Sequence, residues 1–140
     1  MIKIKITMIF LCLSILLPIG CGGMPGGMKV VAGMVTLDGK PLNGVKVTFH
    51  PIDNGAEAAG KTSPVGDFIL ETDGHEGCRP GRYKITVNAA GVSEINKDLG
   101  IPKKYQNLET TDLIVTVAED MDMLPVTLYQ SDDQAPSGLQ

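Results

Sequence analysis

From residue 31 to residue 129, apolar and polar positions alternate with a period of two, the spacing at which the side chains of a strand face opposite sides. Val31, Gly33, Val35 and Leu37 alternate with Ala32, Met34 and Thr36; Val45, Val47 and Phe49 alternate with Lys46, Thr48 and His50. Phe68 and Leu70 alternate with Asp67, Ile69 and Glu71, and Tyr83, Ile85, Val87 and Ala89 with Lys84, Thr86 and Asn88. Leu113, Val115 and Val117 alternate with Asp112, Ile114 and Thr116, and Leu124, Val126 and Leu128 with Pro125, Thr127 and Tyr129. Ala59 to Thr62 is a candidate for one strand more. Turn signals separate these runs at Asp38-Gly39-Lys40-Pro41, Arg79-Pro80-Gly81 and Glu119-Asp120. Pro51 stops or edges its strand, and Pro125 places the last strand at a sheet edge. Six or seven short, regularly spaced strands predict an all-β sandwich. In its phase Val47, Phe68, Ile85, Val87, Val115 and Leu128 point inward, while Lys46, Lys84 and Thr116 face solvent.

Two stretches break the pattern. Gly91 to Thr111 is long for a plain loop, and Ser93 to Leu99 fits a helical turn capped by Ser93; no other segment reads as helix. At the start, Lys3 and Lys5 precede an apolar run from Ile6 to Leu17, broken only by Thr7 and Ser14 and followed by Leu17-Pro18-Ile19-Gly20-Cys21. A charged n-region, a short apolar core and a small residue before a cysteine make a secretory leader, too short to span a bilayer at about 20 residues. The expectation is a lipoprotein signal over residues 1–20 with Cys21 as the lipidated N-terminus, although Pro18 holds the place where a lipobox usually has leucine. Residues 21–28 then form the lipidated cysteine and a Gly-rich tether, 29–130 the sandwich, and 131–140 a frayed tail.

Processing changes the charge. Twelve basic against sixteen acidic residues give −4, and losing Lys3 and Lys5 makes it −6. An acidic domain offers nothing to nucleic acid and gains nothing from anionic lipid, so membrane attachment rests on the acyl chain. With Cys12 in the leader and Cys21 as the anchor, Cys78 is left without an internal partner. No tryptophan and 4% aromatics predict a core of Val, Leu, Ile and Met.

The run from Val31 through Asp38-Gly39-Lys40-Pro41 to Val45-Lys46-Val47-Thr48-Phe49, then Gly66-Asp67-Phe68, Pro80-Gly81-Arg82-Tyr83, and Ile101-Pro102-Lys103-Lys104-Tyr105, resembles carboxypeptidase regulatory-like domains in small bacterial lipoproteins. The resemblance covers nearly all of 29–130 and implies a seven-stranded, transthyretin-like (prealbumin-like) sandwich. Asp38-Gly39 supplies the positive φ of a tight connection, and Pro80-Gly81 suits a type II turn. Tyr83 either pins that turn through its hydroxyl, as a tyrosine corner does, or simply fills the core. The loop Asp73-Gly74-His75-Glu76-Gly77-Cys78 departs from the family pattern.

Chemistry is sparse. His50 and His75 begin neither an H-x-x-E pair nor an H-E-x-x-H motif, which removes the zinc-peptidase set. The chain also resembles the transthyretin-like hydroxyisourate hydrolase in fold, but its end, Ser137-Gly138-Leu139-Gln140, lacks that enzyme's Y-R-G-S. Ser63, Ser93, Ser131 and Ser137 lack a nucleophile elbow. An internal Lys–Asn isopeptide bond is excluded, since the last strand has no asparagine. Asp53-Asn54-Gly55 and Asp120-Met121-Asp122 read as turns and not as calcium loops. His75, Glu76 and Cys78 are the metal candidates, in too compact a segment to chelate well, and no metal or other cofactor is expected. Tyr105 and Tyr129 are the candidates for a ligand-binding aromatic platform. The function expected is a non-catalytic module, lipid-anchored at the cell envelope, periplasmic or surface-facing, with a structural or protein-interaction role. The alternative is a carbohydrate- or small-ligand-binding surface lipoprotein. Its partners are then the membrane, through the lipid, and an envelope protein or glycan.

Overall fold

The computed structural model describes residues 27–89 and 99–131. The predicted leader, Cys21, the Ser93-capped turn and the tail after Ser131 lie outside the described residues. Asp38 and Gly39 take φ of 48° and 80°, the left-handed pair that a two-residue hairpin requires. They join β1 (Val31–Leu37) to β2 (Lys40–Pro41), with Leu37 paired to Lys40. The chain continues through β3 (Lys46–Pro51), β4 (Ala58–Lys61), β5 (Asp67–Ile69), β6 (Glu71–Thr72), β7 (His75–Glu76) and β8 (Gly81–Asn88). After α1 (Lys103–Gln106) come β9 (Ile114–Val117) and β10 (Met121–Leu128).

The strands form two sheets. One runs β10-β1-β2, with β5 also on β1; the other runs β7-β6-β4-β3-β8-β9. β1 is central to the first: β10 lies parallel along one side, while β5 pairs with Ala32–Met34 and β2 with Thr36–Leu37 on the other. The terminal strand therefore closes back onto the first. The Leu128 carbonyl accepts from Asp38 N–H at 2.9 Å, so Leu128 addresses β1 through its backbone. Alternation turns Pro125 to the outer side of this edge strand, where a missing N–H breaks no ladder bond.

The inward phases of both sheets meet in one core. Val31, Val35, Phe68, Val126 and Leu128 from one sheet pack with Val47, Phe49, Tyr83, Ile85, Val87 and Val117 from the other. Phe49 bridges the layers, its ring centroid 6.4 Å from Phe68 and 5.9 Å from Tyr83. Gly33 holds an inward position without a side chain; a Cβ there would sit 2.7 Å from Phe68 Cζ, so the glycine makes room for the ring.

Several details differ from the alternation. Val115 is only half-buried, and Lys84 is half-buried rather than fully solvated. Methionine is missing from the buried core among the described residues, and Met123 is 80% exposed; aromatic rings fill that space instead. Gly81 has φ 156° and opens β8 opposite Val117, not the φ near 80° of a type II turn. Asp73 and Gly74 form a second left-handed hairpin, φ 51° and 80°, between β6 and β7. A helical turn appears where none was expected: Pro102 precedes α1, Tyr105 N–H donates to its carbonyl at 3.1 Å, and Tyr105 is buried beneath. Burial of one aromatic ring, rather than helix propensity, holds four residues in that turn.

Candidate functional site

Threonine is the polar residue of this interior. Thr48, Thr62, Thr72, Thr86 and Thr111 are the buried polar residues among those described. Branching at Cβ suits all of them to strands, and each hydroxyl needs a partner once out of water. Thr62 accepts from Val45 N–H at 2.9 Å, Thr72 donates to the Gly77 carbonyl at 2.8 Å, and Thr111 donates to the Ile85 carbonyl at 2.7 Å. Thr48 and Thr86 differ, because they sit on the outward phase of β3 and β8, directly paired across the strands.

They are buried because the outer face of this sheet is a walled groove of about 660 Å³. Thr48 and Thr86 form the floor. Lys46 and Asn88, a cross-strand pair, stand at one end, and His50 with Glu57 at the other. Gln106, Asn107 and Leu108, where the chain returns from α1, form the wall. Lys84 Nζ ties that wall to the sheet through the Leu108 carbonyl at 3.5 Å.

A hydroxyl–imidazole–carboxylate chain crosses one end. Glu57 Oε1 lies 2.7 Å from His50 Nδ1, and His50 Nε2 lies 2.9 Å from Thr86 Oγ1. A carboxylate only accepts, so Nδ1 carries the proton, and in the neutral ring Nε2 accepts from the Thr86 hydroxyl. The order of groups is that of an acyl-transfer triad. The surroundings are not: Thr86 is 3% exposed, and it stands mid-strand in the β3–β8 ladder, where the backbone donors of an oxyanion hole are not presented. The chain fixes the imidazole and leaves its edge facing the groove.

A second concavity, about 570 Å³ and largely apolar, opens along the flank between edge strands β9 and β10, lined by Ile114, Val115, Met121, Leu124 and Pro125 among others. Elsewhere Tyr83 donates its hydroxyl to the Arg79 carbonyl at 2.7 Å. It is thus both corner and core, being 3% exposed. Burial pushes the Tyr83 phenol up to about 12, helped by the neighbouring Cys78 and opposed by Arg79. Burial also raises Cys78, with the Tyr83 hydrogen bond pulling it partly back.

The residues singled out from sequence fall elsewhere. Tyr105 is 2% exposed, so it offers no ring face to a ligand: its hydroxyl accepts from Tyr129 N–H at 3.4 Å, and Lys104 Nζ covers the ring at 4.8 Å from its centroid. Tyr129 is half-buried beside it, and the two form no exposed platform. His75 and Glu76 are exposed neighbours on β7, turned to opposite faces, while Cys78 is fully buried. Among the described residues no three His, Cys, Asp or Glu side chains come together. The groove was missed because its members are spread from residue 46 to residue 108, and only β-pairing and the returning wall collect them. The outward Lys46, Thr48, His50 and Thr86, Asn88 were legible as two polar strand faces. No family model and no curated protein matches this chain.

Proposed function

We propose that this chain is a lipid-anchored module of the cell envelope, non-catalytic, whose sandwich holds a recognition surface away from the membrane. The resemblance to carboxypeptidase regulatory-like domains supports a scaffold role, and the leader with Cys21 supports the anchor. The observation that carries the reading is where the chain enters the domain. Lys29 and Cys78 exchange backbone hydrogen bonds at 2.7 and 2.9 Å, and Val30 N–H donates to Asp120 Oδ1 at 2.9 Å. A tether from Cys21 thus arrives at the end where β1, β8 and β10 all begin. Lys46 and Asn88 mark the opposite end, with β8 spanning roughly 20 Å between. A short Gly-rich tether joined at that end lets the far end of the groove face away from the lipid.

Cys21→Ser should move the protein from the membrane fraction to the soluble one; unchanged membrane retention would defeat the anchor. Crosslinking in intact envelopes should then trap a protein partner that the soluble variant no longer reaches. A second reading, a surface lipoprotein that binds a carbohydrate or small ligand, is favoured by the groove itself, whose floor and wall are polar and already ordered.

A further inference from the structure

We infer that the groove over β3 and β8 is a binding site for a short saccharide, an inference that rests on the second reading above and gives it a location. The chemistry of the lining selects the ligand. Gln106 Nε2 donates to the Ile101 carbonyl at 2.8 Å and Asn107 Oδ1 accepts from Glu109 N–H at 2.9 Å. Each amide is therefore anchored by one end. Gln106 Oε1, an acceptor, and Asn107 Nδ2, a donor, remain for the groove on adjacent residues of its wall. Asn88 adds a further donor and acceptor beside Lys46. A sugar hydroxyl both donates and accepts, so a wall that offers one of each matches it group for group.

Other ligand classes fit worse. An apolar ligand would desolvate the wall and Asn88 amides without replacing their hydrogen bonds, at a cost for every group left unmade. A polyanion meets Glu57, and only Lys46 among the lining residues is a fixed cation. Leu108, 42% exposed on the wall, and Ala89 supply the small apolar contact that the C–H face of a pyranose needs. The site is ordered in advance: His50 is held at both nitrogens, Thr86 is fixed by His50, and both wall amides are fixed by backbone. Pre-ordering cuts the entropy that binding would otherwise cost.

Titrating the full chain in detergent with maltotetraose, cellotetraose and chitotetraose, followed by amide and side-chain NMR shifts, tests the inference. At least one sugar at millimolar concentration should shift Thr48, His50, Thr86, Asn88, Gln106 and Asn107, and leave the β9–β10 flank unmoved. Asn88→Ala should weaken that binding by roughly tenfold at unchanged melting temperature, and Asn107→Ala should weaken it by a similar factor with a small fall in melting temperature, because it also removes the bond to Glu109 N–H. No shift with any of the three sugars, shifts centred elsewhere, or full affinity in both variants would overturn the site. The anchor is read separately: a groove that fails in a protein still released from membranes by Cys21→Ser sinks the saccharide site and spares the envelope reading.

Discussion

Tyr83 shows how one side chain serves packing and turn geometry together. Its ring fills the core against Phe49, and its hydroxyl reaches back to the Arg79 carbonyl. Tyr83→Phe keeps the ring and orphans that carbonyl, so thermal or denaturant melts should show a loss of about 1 kcal/mol. Cys78 and Tyr83 also predict a loss of stability in alkali. Both are raised in the folded protein, Cys78 above 9.0 and Tyr83 from 10.0 to about 12. A raised acid holds its proton more tightly folded than unfolded, so its contribution is complete below the unfolded value and lost as pH rises through the folded one. Melting temperature should therefore begin to fall above about pH 9 and drop further toward pH 12. Cys78→Ala should remove the first part of that decline; a profile identical to wild type would show that the thiol does not contribute. Gly33→Ala should cost about 1–3 kcal/mol, because the new methyl runs into the Leu124 carbonyl oxygen of the neighbouring strand and into the Phe68 ring; wild-type stability would mean that both strand and ring have room to move.

Among the elements, β8 is the strand whose phase is most readily tested. Val87 is fully buried and Thr116, on neighbouring β9, is exposed. Val87→Asp places an unpaired charge in the core at several kcal/mol, comparable with the whole stability of a small domain. Thr116→Asp stays in water opposite Arg82, its cross-strand partner. The first variant should show no cooperative melt and the second should match wild type; similar transitions would mean that the strand phase is wrong. The two hairpins teach a related lesson. Asp38-Gly39 is legible as a turn because clear alternation flanks it. Asp73-Gly74 is the same dipeptide in the same conformation, yet β6 and β7 are two residues each and show no period, so the segment reads as a polar loop. Turn chemistry was visible at both places, but the strands it joins were visible at only one.

For the molecule as a whole, closure depends on the last strand. β10 covers one side of β1 over Val31 to Leu37, and Val126 and Leu128 enter the common core. A chain ending at Asp120 would expose the edge of β1 and leave Val31 and Val35 uncovered, so it should aggregate or remain unfolded by circular dichroism; a cooperative melt would show that the other strands suffice. Local pattern was enough to read the fold class, the positions of the longer strands, the inward residues other than Val115 and the edge placement of β10. Each follows from alternation or from proline's missing N–H, which act within a few residues. Pairing across long separations was out of reach: β1 lies parallel to a strand some ninety residues later, and nothing local records that choice. The burial of Tyr105 and the assembly of Lys46, Thr48, His50, Glu57, Thr86, Asn88, Gln106 and Asn107 around one groove belong to the same category. A side chain's residue type states what it can donate, accept or bury, but which groups share a surface depends on strand register and on the path of the returning chain, and these are set by the packing of the entire core.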